Sequence, residues 1–216
     1  MIEGRRANTP TLVATDRLAA AGASGVLNDA MTALLPRFYR DIVWSPRIGL
    51  AAYRAPTAAR AVRLQAALAK KLALVARLHR EGAALRLGTD TQQPFVVPGA
   101  ALHREMELFA EAGLPAADVL RIATRDAAIA CGRHDLGTTR RGAVADLLVL
   151  ERDPSLDLGA LRSLRAIVYE GALYAHADLA RELRADLAIR DRAFERIGSA
   201  VLARFAMWRA ARRFVG

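Results

Sequence analysis

Residues 84–90, Ala-Leu-Arg-Leu-Gly-Thr-Asp, form the stretch on which the assignment of the fold depends. The short apolar run around Leu85 and Leu87 predicts a strand, and Gly88-Thr89-Asp90 gives that strand a polar end. The preceding residues 58–81 predict a helix that ends at Gly82, because apolar side chains recur at helical spacing, namely Val62, Leu64, Leu68, Leu72, Val75 and Leu78. A helix followed by a strand with a polar tip is typical of an α/β protein.

Upstream of this helix the pattern is weaker. Pro10 precedes the apolar run Thr11-Leu12-Val13-Ala14, which predicts a short buried strand. Residues 16–31 contain glycines and other small residues and predict a weak helix or a loop. Residues 32–57 contain three prolines among aromatic side chains, so we expect an irregular connection with short helices.

Downstream of Asp90, a loop over residues 91–99 leads into a helix over residues 102–112. Gly113-Leu114-Pro115 ends this helix, and Pro115 suits the first turn of the next one. That second helix is predicted to run to Cys131, with Gly132 as its end.

The character of the sequence changes near residue 136. Strands are predicted at residues 145–150 and 164–169, and Glu170-Gly171 predicts a turn into a short partner strand near Leu173-Tyr174. From Leu179 onward the pattern is helical. We therefore divide the chain into an α/β segment, a small β segment and a helical tail, with the bounds 1–136, 137–177 and 178–216.

Composition narrows the function classes. The 216 residues carry a formal net charge of +10, which favours a polyanion partner when taken alone. Lysine occurs only at Lys70 and Lys71, and the arginines are scattered among acidic residues, so we disfavour nucleic acid as the partner. The single cysteine, Cys131, excludes an internal disulfide and is expected to be a small buried side chain. Without a predicted membrane span or signal peptide, the expected location is the cytoplasm.

Seven short motifs follow one another in a fixed order. They are Gly88-Thr89-Asp90, residues 98–105 (PGAALHRE), Ala112-Gly113-Leu114-Pro115, Ala123-Thr124, Gly137-Thr138, residues 142–147 (GAVADL) and Asp153-Pro154. Together they resemble the C-terminal third of the metal-dependent amidohydrolase superfamily, in its imidazolonepropionase-like and Xaa-Pro dipeptidase-like branch. Thr9-Pro10-Thr11-Leu12 is similar to the strand before the last one in that branch.

The resemblance implies a (β/α)8 TIM barrel with a small β-sandwich. It identifies residues 9–15 with the seventh barrel strand and residues 84–90 with the eighth, so the last two strands and helices of the barrel are expected here. Residues 143–176 are expected to supply the C-terminal strands of the sandwich. The first six barrel strands have no counterpart in this sequence, which implies the C-terminal part of a larger enzyme.

The resemblance also implies a site. The aspartate of its Gly-Thr-Asp motif binds the catalytic divalent metal, with zinc expected, and moves a proton during hydrolysis. This role is carried over to Asp90. Thr89, Thr91 and His103 are expected to orient Asp90 or to anchor the loop. The substrates implied are small amides, cyclic amides or dipeptides.

Most metal ligands of that family lack a counterpart. The histidines of this chain, His79, His103, His134 and His176, form no His-x-His pair, and one carboxylate does not make a zinc site. We therefore expect the chain alone to hold no metal stably. It should self-associate or bind a complementary N-terminal piece. The alternatives are a non-catalytic interaction scaffold built on the same fold and a basic protein that binds nucleic acid or a membrane surface.

The tail, residues 194–216, is the segment that could contact a membrane. Apolar side chains fall near one helical face at Phe194, Ile197, Val201, Phe205, Trp208 and Val215, and no acidic residue follows Glu195. A basic amphipathic helix can lie on an anionic membrane, but it can also pack on its own domain or on a second subunit. The packing interpretation is favoured.

Overall fold

The computed structural model describes residues 7–21, 31–44, 56–91, 93 and 95–214, with the side chains of Leu34 and of residues 199–214 excepted. Six α-helices, three strands and several short helical turns lie within these residues. The helices are α1 (Leu12–Ala20), α2 (Ala58–Arg80), α3 (Ala100–Glu111), α4 (Ala116–Arg121), α5 (Ala127–Ala130) and α6 (His176–Phe214). The strands are β1 (Leu147–Leu150), β2 (Leu164–Tyr169) and β3 (Ala172–Ala175).

The expected strand at residues 11–14 is wrong, because α1 begins at Leu12. A short apolar run fits a buried strand and a buried helix equally well. Glu105 on α3 explains why a helix forms here rather than a strand. Its carboxylate accepts hydrogen bonds from the Leu12 and Val13 N–H groups at 3.0 and 2.6 Å. A helix leaves its first N–H groups without intrahelical partners, so this distant carboxylate stabilises a helix start at this point.

The residue that pairs in parallel with residues 84–87 is Asn8, which lies before the expected strand at residues 11–14. The Asn8 N–H donates to the Ala84 carbonyl, and the Arg86 N–H donates to the Asn8 carbonyl, both at 2.9 Å. These two bonds make a single bridge between Asn8 and Leu85. The predicted strand over residues 84–90 is therefore reduced to an extended segment with one paired residue.

Helix α2 confirms the prediction for residues 58–81 closely. Thr57 caps its start by accepting a hydrogen bond from the Arg60 N–H. At its end the Gly82 N–H donates to the His79 carbonyl, and the Ala83 N–H donates to the Leu78 carbonyl. This pairing requires a residue with positive φ at position 82, and glycine adopts that conformation without steric cost.

The second predicted helix, residues 115–131, is confirmed as one unbroken helical run from Ala116 to Ala130, with a change to π-helical hydrogen bonding in its middle. It consists of α4, a π-helical turn over Ile122–Asp126, and α5. Residues 32–57 were expected to be irregular with short helices, and the described part confirms this with a 3₁₀ turn at Thr32–Leu34 and a π-helical segment at Phe38–Val43. Residues 22–30 and 45–55 lie outside the described structure.

A three-stranded antiparallel sheet in the order β1-β2-β3 follows the helices. Glu170 and Gly171 both have positive φ and form the predicted two-residue turn between β2 and β3. Strand β1 begins at Leu147 rather than residue 145. Helix α6 begins directly after β3 at His176, three residues earlier than predicted.

The main hydrophobic core lies between α1, α2 and α3. Its largest fully buried side chains include Leu12, Val75, Leu108 and Phe109. A second cluster contains Leu35, Trp44, Phe95 and Val97, and it joins the segment after α1 to the loop that precedes α3. Among the described helices, none combines the length and the apolar character needed to cross a bilayer.

The described part of the tail supports packing on the protein's own domain. The Arg37 N–H donates to the Asp191 carboxylate at 2.8 Å, and the Arg37 guanidinium pairs with Glu195. The ring of Phe194 packs edge-on against Phe38, with centroids 5.8 Å apart. Ile197, on the same predicted face, is 65% exposed and is not part of this packing. The side chains of the other predicted members, Val201, Phe205, Trp208 and Val215, lie outside the described residues.

Candidate functional site

Asp90 lies on an exposed turn after the paired segment. Its φ of 52° is left-handed, a conformation that aspartate tolerates better than most residues. The Gln93 N–H donates to the Asp90 carbonyl at 3.1 Å and closes the turn. The Asp90 carboxylate is exposed and has no hydrogen-bond partner among the described residues, so it is available to an incoming group.

The threonines on either side of Asp90 bond to each other. Their hydroxyl oxygens, Thr89 Oγ1 and Thr91 Oγ1, are 2.7 Å apart, and Thr91 also forms an isolated bridge with Gln93. This bond joins the two ends of the turn that carries Asp90. The expectation that the threonines anchor the loop therefore has a geometric basis, whereas direct orientation of the carboxylate remains a prediction.

Gly88 has a steric reason to be glycine. A Cβ atom at this position would lie 2.5 Å from Cγ2 of Thr9, much closer than non-bonded carbon atoms approach each other. The backbone at Gly88 therefore lies in close contact with Thr9, the residue after Asn8.

Phe95 anchors the chain on the C-terminal side of the Asp90 turn. Its φ is 65°, which is unusual for a bulky side chain, and its ring is fully buried against Trp44 with centroids 5.9 Å apart. The buried Arg17 donates from Nε to the Phe95 carbonyl at 3.1 Å. Two left-handed residues within six positions are strained, and strain of this kind is held by surrounding contacts and is frequent at functional sites. The sequence analysis did not identify Phe95 or Arg17.

Glu105 is the fully buried carboxylate that caps α1, and it lies two residues after His103. Burial raises the pKa of Glu105 to about 7, against the opposing effect of the two N–H donors and of Lys71. Next to it, Arg104 binds Asp16 through two hydrogen bonds of 3.0 and 3.1 Å. These contacts join α1 to α3, and the sequence analysis quoted Glu105 only as part of a motif.

The histidines are scattered. His79 at the end of α2 lies 3.4 Å from the Asp118 carboxylate, His134 and His176 are exposed, and His103 lies half-buried on α3. Burial, followed by the nearby Arg162, lowers the pKa of His103. None of them comes together with Asp90 in a metal site, since no group of three or more His, Cys, Asp or Glu side chains in the described residues could hold a metal.

The donor set of the described residues therefore does not fit the divalent metal that the resemblance implies. Asp90 supplies one carboxylate, whereas metal sites of this chemistry need three or four ligands. Cys131 does not add a ligand. It is exposed at the end of α5, so the expectation of a buried side chain is wrong. Cys131 is the C-cap of α5, and Gly132 follows it with a φ of 75°.

Comparisons with known proteins agree with the family resemblance. The sequence signature of the Amidohydrolase family matches residues 15–182, well over half of the chain. Among solved structures, bottromycin amidohydrolase superposes with a TM-score of 0.68 and 28% identity, covering 86% of this chain and 40% of that one. A Xaa-Pro dipeptidase superposes with a TM-score of 0.58 and 19% identity, covering 81% and 36%.

The chain is therefore a member of the amidohydrolase family. Its mixed helix and sheet structure matches folds of that family. A shorter match connects it with adenine deaminase from Serratia proteamaculans (strain 568), which is 52% identical over 46 residues, or 21% of this chain and 8% of the deaminase. The chain thus spans a small part of the deaminase and well under half of the two solved structures.

Proposed function

We propose that this chain supplies the C-terminal part of a hydrolase that breaks C–N bonds in small amides, cyclic amides or dipeptides. The observation that carries the proposal is the exposed Asp90 carboxylate, which lies on a strained turn immediately after the segment that pairs with Asn8. The family match and the names of its relatives, two amide-bond or dipeptide hydrolases and one deaminase, all concern C–N bonds.

In this proposal, residues 1–136 provide the last two strands and helices of a (β/α)8 barrel, with the seventh strand reduced to the residues around Asn8 because α1 begins at Leu12. Residues 137–177 provide strands of a composite sandwich. Active sites of such barrels lie at the C-terminal ends of the strands, and in this proposal Asp90 occupies such an end because it follows the segment that pairs with Asn8 at Leu85. The carboxylate can accept a proton and return it. Zinc and its remaining ligands would have to come from outside the described residues.

Reconstitution tests the proposal. The chain is co-expressed with the part of a full-length amidohydrolase that precedes the region matching this chain, and hydrolysis of dipeptides and cyclic amides is assayed with zinc, manganese or cobalt. We expect no turnover by the chain alone and turnover by the reconstituted pair. Asp90→Asn should abolish turnover yet keep the association, because the side chain stands at the tip of the turn and not in a contact surface.

A matched control is Asp186→Asn, which removes an exposed carboxylate on α6 that pairs with Arg190. This variant should retain the activity of the reconstituted pair. Failure of the two pieces to bind, or full activity of the Asp90→Asn pair, would overturn the role proposed for Asp90.

The second candidate function is a non-catalytic interaction scaffold. The observation that favours it is the sheet, where Leu148 and Leu173 are exposed on opposite faces, and where β1 and β3 are both edge strands. Exposed apolar strands are typical of surfaces that bind another chain. A pair that associates without any hydrolytic activity would favour the scaffold.

A further inference from the structure

The start of α1 is held by a side chain from another helix. Glu105 on α3 is fully buried, and its two carboxylate oxygens accept hydrogen bonds from the Leu12 and Val13 N–H groups at 3.0 and 2.6 Å. Helices are usually capped by the residue that precedes them. Here that residue is Thr11, and its side chain makes no capping hydrogen bond. The start of α1 therefore depends on Glu105.

The segment 9–11 joins this capped helix start to the Asn8 bridge, and its backbone has little freedom. Pro10 fixes its own φ and restricts Thr9 to extended conformations. Thr11 has a φ of 44° and a ψ of 54°, a left-handed conformation that is costly for a β-branched residue. Such strain persists only where surrounding contacts hold it. On one side of Thr11 the chain is held by the Asn8 bridge, and on the other side by Glu105.

The same segment contacts the chain just before Asp90. A Cβ atom on Gly88 would lie 2.5 Å from Cγ2 of Thr9 and 4.0 Å from Cγ2 of Thr11. The methyl groups of both threonines therefore lie close to the Gly88 backbone. Gly88 precedes Asp90 by two positions, so a shift of segment 9–11 would act directly on the residues that lead into the Asp90 turn.

We propose that Glu105 is a positioning residue for Asp90. By holding the first N–H groups of α1, Glu105 keeps segment 9–11 in its strained conformation and in contact with Gly88, and this contact sets the position of the Asp90 turn. The proposal rests on the proposed hydrolase function for the chemical role of Asp90. It adds a residue that acts on Asp90 only through the backbone of α1 and of segment 9–11.

Amide hydrogen exchange of the full chain, resolved by NMR at one pH, tests this coupling without any turnover. Glu105→Ala removes both acceptors, and we expect the amides of Asn8, Arg86 and Gln93 to exchange about tenfold faster or more, the usual effect of losing a hydrogen bond to a charged group. Glu105→Gln keeps one acceptor oxygen and should give a smaller increase. If Glu105→Ala does not fold, the Glu105→Gln result decides.

The amides of the β2–β3 hairpin are the internal reference, because global unfolding would speed their exchange equally. The matched control is Asp16→Asn. Asp16 also joins α1 to α3, through hydrogen bonds of 3.0 and 3.1 Å from Arg104, but it lies beyond the capped N–H groups. This variant should leave the exchange at Asn8, Arg86 and Gln93 as in the wild type. Equal acceleration by Asp16→Asn, or acceleration no greater than that of the hairpin, would overturn the proposal.

The reconstituted pair supplies a second measurement. Glu105→Gln should lower kcat by about tenfold with little change in KM, because misplacing a catalytic group slows the chemical step and leaves substrate binding intact. Unchanged kcat, in a pair whose wild-type form is active, would overturn the positioning role. An inactive wild-type pair would instead contradict the proposed function, and the exchange result alone would then decide whether Glu105 controls the Asp90 turn.

Discussion

Two Gly-Thr motifs owe their glycines to contacts with distant segments. A Cβ on Gly88 would collide with the Thr9 side chain, and a Cβ on Gly137 would lie 2.6 Å from the carbonyl carbon of Thr124. Gly137 also has a φ of 70°, which adds a conformational reason. The motifs Gly137-Thr138 and Ala123-Thr124 are therefore in direct contact, a relation that their separation in sequence does not reveal.

Gly88→Ala should lower the free energy of unfolding by about 1–3 kcal/mol, the usual cost of forcing extra atoms into a packed position. Thr9→Ser removes the methyl group that the new Cβ meets, so the double variant should recover most of the loss. Urea denaturation of the two single variants and the double variant measures this coupling. Gly198→Ala is the control, since nothing lies within 4 Å of its added Cβ. Additive losses in the double variant would contradict the contact.

Because of Glu105, we expect the free energy of unfolding of the chain to depend on pH. The pKa of Glu105 is raised from an ordinary value of 4.5 to about 7, so between these values the folded chain holds a proton that the unfolded chain releases. The free energy of unfolding should therefore fall as pH rises through this window, by roughly 3 kcal/mol in total. Asp16 and Lys71 also act on this carboxyl, in opposite directions.

Glu105→Gln tests the same point, because glutamine keeps the shape of the side chain and cannot ionise. Its amide can satisfy one of the two α1 N–H donors, so we expect a less stable chain at pH 4.5, by about 1–3 kcal/mol. The gap to the wild type should narrow towards pH 7.5. A gap that stays constant over the whole range would show that Glu105 does not titrate there.

Among the secondary-structure elements, α1 is one whose type the local sequence pattern could not predict. Leu12 and Val13 are fully buried, and their apolar character is compatible with either a strand or a helix. The carboxylate that stabilises the helix comes from a residue more than ninety positions away. By contrast, α2 was predictable, because 23 residues of periodic sequence with a Thr57 cap and a Gly82 end contain all the necessary information.

The contact between α6 and the π-helical segment Phe38–Val43 can be tested through Phe194. Phe194→Ala should cost about 0.5–1.5 kcal/mol, the usual worth of an aromatic pair beyond its buried area. It should also speed hydrogen exchange at the amide of Trp44, which donates to the Tyr39 carbonyl at 2.8 Å. Ile189→Ala, at a side chain that is 57% exposed, should change neither quantity. Unchanged exchange in Phe194→Ala would show that α6 does not support the segment.

For the whole molecule we expect self-association in the absence of a complementary piece. Leu148 and Leu173 are 54% and 70% exposed on a sheet whose outer strands, β1 and β3, each pair with only one other strand among the described residues, and such surfaces favour contact with another chain. Light scattering should give a mass above 23.3 kDa that rises with concentration. The double variant Leu148→Lys/Leu173→Lys should reduce it.

The control for this association is Leu156→Lys. Leu156 is the most exposed large apolar side chain described, at 83%, but it lies in a loop outside the sheet. Its replacement should leave the mass unchanged if the sheet is the contact surface. A monodisperse monomer with a sharp cooperative melt would contradict the prediction.

The sequence by itself determined the family, α2, the β2–β3 hairpin and the lack of a complete metal-ligand set in its motifs. These depend on periodicity, on turn residues and on the order of short motifs, all of which are local properties. The tertiary structure decided that Leu12 starts a helix, that Asn8 is the residue paired with Leu85, and that Cys131 is exposed. It also brought Arg17, His103 and Arg162 to one cavity. These features could not be predicted from sequence because each depends on contacts between residues that are far apart in the chain, such as the contact of the buried Glu105 carboxylate with α1.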